Sequence, residues 1–171
     1  MSDDGLRLVP FGPEHLDELT VWLADPDLLR FTRVPEPVPP GFARTWHGRY
    51  VDRRVAGTGD AFAAVDGGGR LLALGFAPAI DRAAREAELG YVVAPTARDR
   101  GVATWTLVAL TRWAFETGIL RAYLYVDVDN HASNRVAAKA GYVREGVLRS
   151  LHLKGDVRTD TVLWSRLPSD P

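Results

Sequence analysis

Hydrophobic positions along the 171 residues recur with two different periods, and the switches between them mark out the elements. Leu6 to Phe11 alternates and reads as a first strand. Gly12-Pro13-Glu14 then opens a helix, with proline where no N–H is needed and an acid in the first turn. Leu16, Leu19 and Leu23 form its apolar stripe. Pro26 and the segment VPEPVPPG (34–41) break that pattern into a loop. Phe42, Trp46 and Tyr50 follow at intervals of four, which predicts a second helix over 41–55 facing a core. Its other faces carry Arg44, His47, Arg49, Arg53 and Arg54.

From residue 60 the pattern turns to strands. DAFAAVD and RLLALGFAPAI flank Gly67-Gly68-Gly69 and predict a hairpin. The three glycines read as its turn rather than a phosphate loop, because no helix follows them. EAELGYVVA (86–94) predicts another strand, and PTARDRGVATWTLVAL leads from it into a long helix ending near Gly118. LRAYLYVDV (120–128) reads as a strand and HASNRVAAKAG (131–141) as a short helix stopped by Gly141. YVREGVLRS and VRTDTVLWSRL close the chain as two strands. The expected class is α/β (α+β), a mixed sheet with helices packed on it. One domain is expected over 1–171, with its core in 5–167.

Composition narrows the function classes. With 46% hydrophobic and 25% charged residues the chain reads as a soluble globular protein. A net charge of -1 argues against nucleic-acid binding through bulk positive charge. The absence of cysteine excludes disulfides, thiolate zinc sites and a cysteine nucleophile. The start, MSDDGLRLVP, is acidic without an apolar core and reads as no signal peptide, and no run approaches a membrane span of roughly 18 apolar residues. A cytoplasmic protein with no membrane partner is expected. The histidines (15, 47, 131, 152) lie at no metal-ligand spacing, so no metal is assigned.

Residues 98–104 carry the strongest chemical signal. Where the 86–94 strand gives way to a helix stand Arg98, Asp99, Arg100, Gly101, Val102, Ala103 and Thr104. A helix N-terminus offers unpaired N–H groups and the positive end of the dipole. Gly101 and Ala103 let a phosphate approach, and guanidinium suits phosphate oxygens. Taken alone, the same loop serves equally as an arginine-rich solvated cap. Other nucleotide signatures, G-x-G-x-x-G and G-x-x-x-x-G-K-[ST], are missing.

Two motifs at the right separation resemble a known family. Arg98-x-x-Gly101-x-Ala103 after a strand is similar to the pyrophosphate loop of the GNAT acyl-CoA-dependent N-acyltransferases. Asn130-His131-Ala132-Ser133-Asn134 through Lys139-Ala140-Gly141-Tyr142 resembles the N-x-x-S-N-x-x-x-x-K-x-G-[F/Y] block of their RimJ/RimL-like branch, and ELGYVVAP resembles its G-Y strand. The resemblance covers most of 5–167 and is strongest over 86–145. It implies a mostly antiparallel seven-stranded sheet with a central splay, flanked by about four helices. It implies acetyl-CoA as cofactor and an amine acceptor, a protein N-terminus or a small molecule, and it leaves a homodimer open.

By the same resemblance, main-chain N–H groups near Val92 and Val93 would stabilise the developing oxyanion. Asn134 would bind the cofactor arm. Asn130 would join it or cap its helix. Glu88, on one strand face with Glu86 and Gly90, is the candidate base, with a solvated carboxylate as the alternative. The tyrosine many members carry seven residues after the first Asn is Ala137 here. The branch's serine acid would be Ser133, unless its hydroxyl only satisfies the helix start. Tyr123 and Tyr125 read as core or sheet packing, and Asp160 as structural. An acyl-CoA-binding module without turnover is the alternative of a different class.

Overall fold

The computed structural model describes residues 5–171, so the reading of the extreme N-terminus, Met1 to Asp4, lies outside the described residues. Seven strands form one sheet: β1 (Arg7–Pro10), β2 (Asp60–Val65), β3 (Leu71–Asp81), β4 (Glu86–Val93), β5 (Arg121–Asp127), β6 (Val143–Lys154) and β7 (Val157–Arg166). Their spatial order is β1-β2-β3-β4-β5-β7-β6, and every neighbouring pair is antiparallel except β4 with β5. The helices are α1 (Leu16–Trp22), α2 (Pro26–Arg30), α3 (Phe42–Ala56), α4 (Val102–Glu116) and α5 (His131–Lys139). This is the mixed, mostly antiparallel sheet that the periodicity and the resemblance predict.

The predicted apolar stripes are the buried ones. Leu16, Leu19 and Leu23 of the α1 region are buried, as is Tyr50 on α3, where Trp46 meets it edge-on and Phe76 at a tilt. α4 lies on the other side of the sheet. Its Leu107 and Leu110 are wholly inaccessible and pack in one cluster with Leu89 of β4 and Leu124 and Val126 of β5. Burying a leucine or valine side chain stabilises by about 1.5–3 kcal/mol, so this slab sets the angle at which α4 meets the sheet.

One expectation changes and another narrows. Pro26 does not end the structure but begins α2, because Asp25 in extended conformation caps it: Asp25 Oδ1 accepts a hydrogen bond from the Leu28 N–H at 2.9 Å. Proline at the first helical position after an aspartate is a start signal, not a break. For Tyr123 and Tyr125 the structure decides between core and sheet packing in favour of sheet packing. The core side of β5 belongs to Ala122, Leu124 and Val126, and the two tyrosines are half-buried on the opposite face.

Candidate active site in the opened sheet

β4 and β5 run side by side only from Glu86 to Glu88, where Glu88 pairs with Tyr123. Beyond that point β4 stays with β3 and β5 stays with β7, so the sheet opens between them. The Ala94 N–H bonds to the Leu72 carbonyl at 2.9 Å, and strand alternation fixes the rest. Val92 is paired inward with Leu74, whereas the main-chain N–H and C=O groups of Tyr91 and Val93 point into the opening. Of the two N–H groups nominated from sequence, that of Val93 faces the opening and that of Val92 faces β3, because successive N–H groups alternate sides.

Just after β4 the backbone turns through two left-handed residues, Asp99 (φ 58°) and Gly101 (φ 78°), before α4 begins. Gly101 caps α4 without a side-chain hydrogen bond. The N–H groups of Val102, Ala103 and Thr104 therefore stand at a helix start with no intrahelical partner and no capping oxygen. Such a turn, with its unpaired N–H groups, has the polarity an anion would need. The two arginines beside it differ. Arg98 is ion-paired with Asp25 at 3.0 Å and Asp27 at 3.4 Å, tying the loop to the start of α2. Exposed Arg100 has no such partner among the described residues, which leaves its guanidinium free for an anion.

α5 faces the opening with a dense polar network. Asn130 is its N-cap: Oδ1 accepts from the Ser133 N–H at 3.0 Å. The Ser133 hydroxyl does not satisfy the helix start. It exchanges a 2.9 Å hydrogen bond with the Tyr91 hydroxyl across the opening. Burial pushes that phenol up to about 12, with Ser133 pulling the other way, so Tyr91 stays protonated at neutral pH. Asn134 departs from the sequence expectation. Its Nδ2 donates to the carbonyls of Asp127 and Asn130, both at 3.0 Å, and its Oδ1 accepts from Trp164 Nε1 at 3.0 Å. Both of its N–H groups are committed to bracing β5, α5 and β7. Ala137, standing where many relatives carry tyrosine, is fully buried.

Glu88 lies on the other face, with Glu86 and Gly90. Gly90 is required there: a Cβ would stand 2.5 Å from Phe76 Cε2. The Glu88 side chain is 19% exposed, and its carboxylate lies 3.7 Å from Arg33. Burial raises its pKa and the Arg33 and Arg53 charges oppose that rise. A carboxylate made more basic by burial is suited to taking a proton. Around it stand Tyr50, Tyr123, Tyr125 and His152, with ring centroids 5.5 Å apart for the tyrosine pair and 5.8 Å for Tyr125 and His152. Sequence spacing missed Tyr91, Arg33 and His152. Only Tyr91 left a signal, two positions before Val93 in the strand that opens.

Asp160 holds main chain, accepting from the Ser150 N–H at 2.8 Å where Ser150 is left-handed. Among the described residues no group of three or more metal-ligating side chains comes together, and no helix is long and apolar enough to cross a membrane.

Comparison with known proteins gives the family and the fold. The Acetyltransferase (GNAT) domain family matches residues 5–143. The chain is 34% identical over 82 residues to the uncharacterized N-acetyltransferase YoaA of Bacillus subtilis (strain 168), covering 47% of this chain and 46% of the relative. It is 31% identical over 84 residues to the ribosomal-protein-serine acetyltransferase of Escherichia coli (strain K12), covering 48% and 47%. The aligned part thus spans about half the length of either relative. The solved structure of RimL, a ribosomal L7/L12 alpha-N-protein acetyltransferase in complex with coenzyme A, superposes with a TM-score of 0.87. It is 20% identical and covers 95% of this chain and 94% of that one.

Proposed function

The chain belongs to the acetyltransferase (GNAT) family, and on that premise we propose that it is an acetyl-CoA-dependent N-acetyltransferase acting on a primary amine, in particular the N-terminal amine of a protein or peptide. One observation carries the reading most. β4 and β5 part immediately after Glu88, leaving main-chain N–H groups unpaired, and the chain then enters an uncapped helix with Gly101 and Ala103 in its first turn. That combination suits a pantetheine arm lying along the strand edge and a pyrophosphate on the helix start. Proteins with which it aligns carry the matching names, including a ribosomal-protein-serine acetyltransferase. The cytoplasm is the compartment in which acetyl-CoA and such acceptors meet, and we place the protein there.

Acetyl-CoA would supply an activated acyl thioester. The amine nitrogen forms its bond to the acyl carbon while the C–S bond breaks. Glu88 takes the proton that the attacking amine gives up, a modest demand for an α-amine of pKa about 7.7–8.0. The Val93 and Tyr91 N–H groups face the charge that develops on the acyl oxygen. Ser133, hydrogen-bonded to protonated Tyr91, gives a proton to the departing sulfur. Base and acid lie on opposite faces of the sheet and meet through the opening, so acceptor and cofactor can approach from different sides. Gly101, Val102, Ala103, Thr104, Arg100 and Asp99 would hold the pyrophosphate. Arg98 holds the loop against α2, and Asn130 and Asn134 hold α5 in place.

Steady-state release of free coenzyme A with a panel of peptides and small amines tests the proposal. Turnover above hydrolysis with at least one amine is expected. Tight acetyl-CoA binding without turnover on any amine would instead indicate a non-catalytic acyl-CoA-binding module.

A further inference from the structure

Arg33 is left without a role by the reaction just described. It lies in the loop after α2, its side chain is 66% exposed, and it reaches 3.7 Å from Glu88 Oε1. An ion pair so open to solvent adds little to stability, so folding does not account for its position. The same guanidinium touches His152 Nε2 at 2.5 Å, although the two residues are 119 apart in sequence. His152 Nδ1 and Thr161 Oγ1 are 2.9 Å apart. With a proton on Nδ1 facing Thr161, Nε2 is left as an acceptor, and a neutral ring orients the guanidinium over Glu88.

Other contacts make the arrangement rigid. Lys154, near the tip of the β6–β7 hairpin, pairs with Glu36 at 2.6 Å and also donates to the Leu29 carbonyl. The hairpin therefore clamps the loop from Leu29 to Glu36 on both sides of Arg33. Arg53 of α3 adds a second positive charge within reach of Glu88 and donates to the Pro78 carbonyl. Of the acids on this face, Glu88 is the one that meets arginines, Arg33 and Arg53.

A bare ammonium arriving at Glu88 would have to break the Arg33 pair and leave two positive charges side by side. A molecule carrying both an ammonium and a neighbouring carboxylate exchanges the internal pair for two new ones, with the ammonium on Glu88 and the carboxylate on Arg33. Guanidinium can grip that carboxylate through two parallel hydrogen bonds. We propose that Arg33 is a specificity-determining residue and that the acceptor is a primary amine bearing a carboxylate close to the amine, either a free amino acid or a peptide with an acidic residue at its N-terminal end. This rests on the acetyltransferase reading above. Arg33 favours the paired anion and rejects polyamines by like charge. His152 is a positioning residue acting through it.

The test compares kcat/KM at saturating acetyl-CoA for four probes: a peptide beginning Ser-Glu, its Ser-Gln counterpart, free aspartate, and spermidine. The wild type should prefer the acidic peptide or aspartate over the neutral peptide by about tenfold or more, and the two acidic arms distinguish peptide from free amino acid. Arg33→Gln should erase that preference mainly through KM, Arg33→Lys should restore part of it, and Arg33→Glu should invert it toward spermidine. Arg33 is exposed, so all three variants should fold, and unchanged melting temperature with unchanged acetyl-CoA affinity checks this. Equal rates for acidic and neutral peptides in the wild type would overturn the proposal and leave the acetyltransferase reading standing. An unaltered acceptor ratio in Arg33→Glu would do the same. No turnover with any amine would sink both.

Discussion

Removing the Asn134 carboxamide should cost stability first and cofactor affinity second. In the Asn134→Ala variant three hydrogen bonds of 3.0 Å are lost: two from Nδ2 to the Asp127 and Asn130 carbonyls and one from Trp164 Nε1 to Oδ1. Each net hydrogen bond contributes about 0.5–1.5 kcal/mol, and a buried donor left unpaired costs about 1–3 kcal/mol. Trp164 is only 8% exposed, so its indole N–H finds no ready water. The sum is about 3 kcal/mol, which for a domain of this size lowers Tm by about 6–12 °C. Asn134→Asp keeps an oxygen for Trp164 but loses both donors, so it should fall between wild type and alanine. The assay is thermal and urea unfolding followed by far-UV circular dichroism, with acetyl-CoA titrated by calorimetry into each folded variant. A Tm within about 2 °C of wild type, together with a large loss of acetyl-CoA affinity, would refute this reasoning. It would mean that the amide leaves the brace to reach the cofactor.

Four further outcomes follow from the site. Glu88→Gln should lower kcat by about 10²-fold with little change in KM for acetyl-CoA, and should remove the acidic limb of the pH–rate profile; a wild-type profile would put the base elsewhere. The same variant should be more stable than wild type at pH 7. A carboxyl whose folded pKa is raised contributes stability below its ordinary value of 4.5 and loses it as pH rises through the raised value, so the advantage should vanish in melts near pH 4. Gly101→Val places a branched side chain at φ 78° against the phosphate seat, so acetyl-CoA affinity measured by calorimetry should fall tenfold or more, with a folding cost of about 1–2 kcal/mol. Tyr91→Phe should lower kcat by about 10²-fold or less at unchanged acetyl-CoA affinity, and adding Ser133→Ala should lower it little further; additive losses would show that the two hydroxyls act separately.

Much of this was legible in the chain. The two apolar periods gave every strand and four of the helices, because each stripe faces one slab of core. The uncapped start of α4 was legible too, since Gly101 acts through local backbone geometry that spacing encodes. What escaped was set by tertiary approach. Arg33 and His152 meet only because the β6–β7 hairpin folds back across the loop after α2. Asn134 has the chemistry of a cofactor ligand, but its partners are carbonyls and an indole that no local pattern reveals. Arg98 likewise reads as a phosphate ligand until Asp25 and Asp27 are seen beside it. Tyr91 stood inside a strand already marked as important, yet its hydroxyl matters only because α5 brings Ser133 to it.

The most direct test of the account is where acetyl-CoA binds. Titrating it into isotopically labelled protein, with backbone amides followed by two-dimensional NMR, reads every N–H at once. The largest shifts should fall on Arg100 through Thr104 at the start of α4 and on Tyr91 and Val93 at the open edge of β4. Val92, whose N–H is paired inward with β3, should move less than either neighbour. Shifts that left these amides unmoved and gathered elsewhere, for instance between α1 and the start of α3, would contradict the account at its centre.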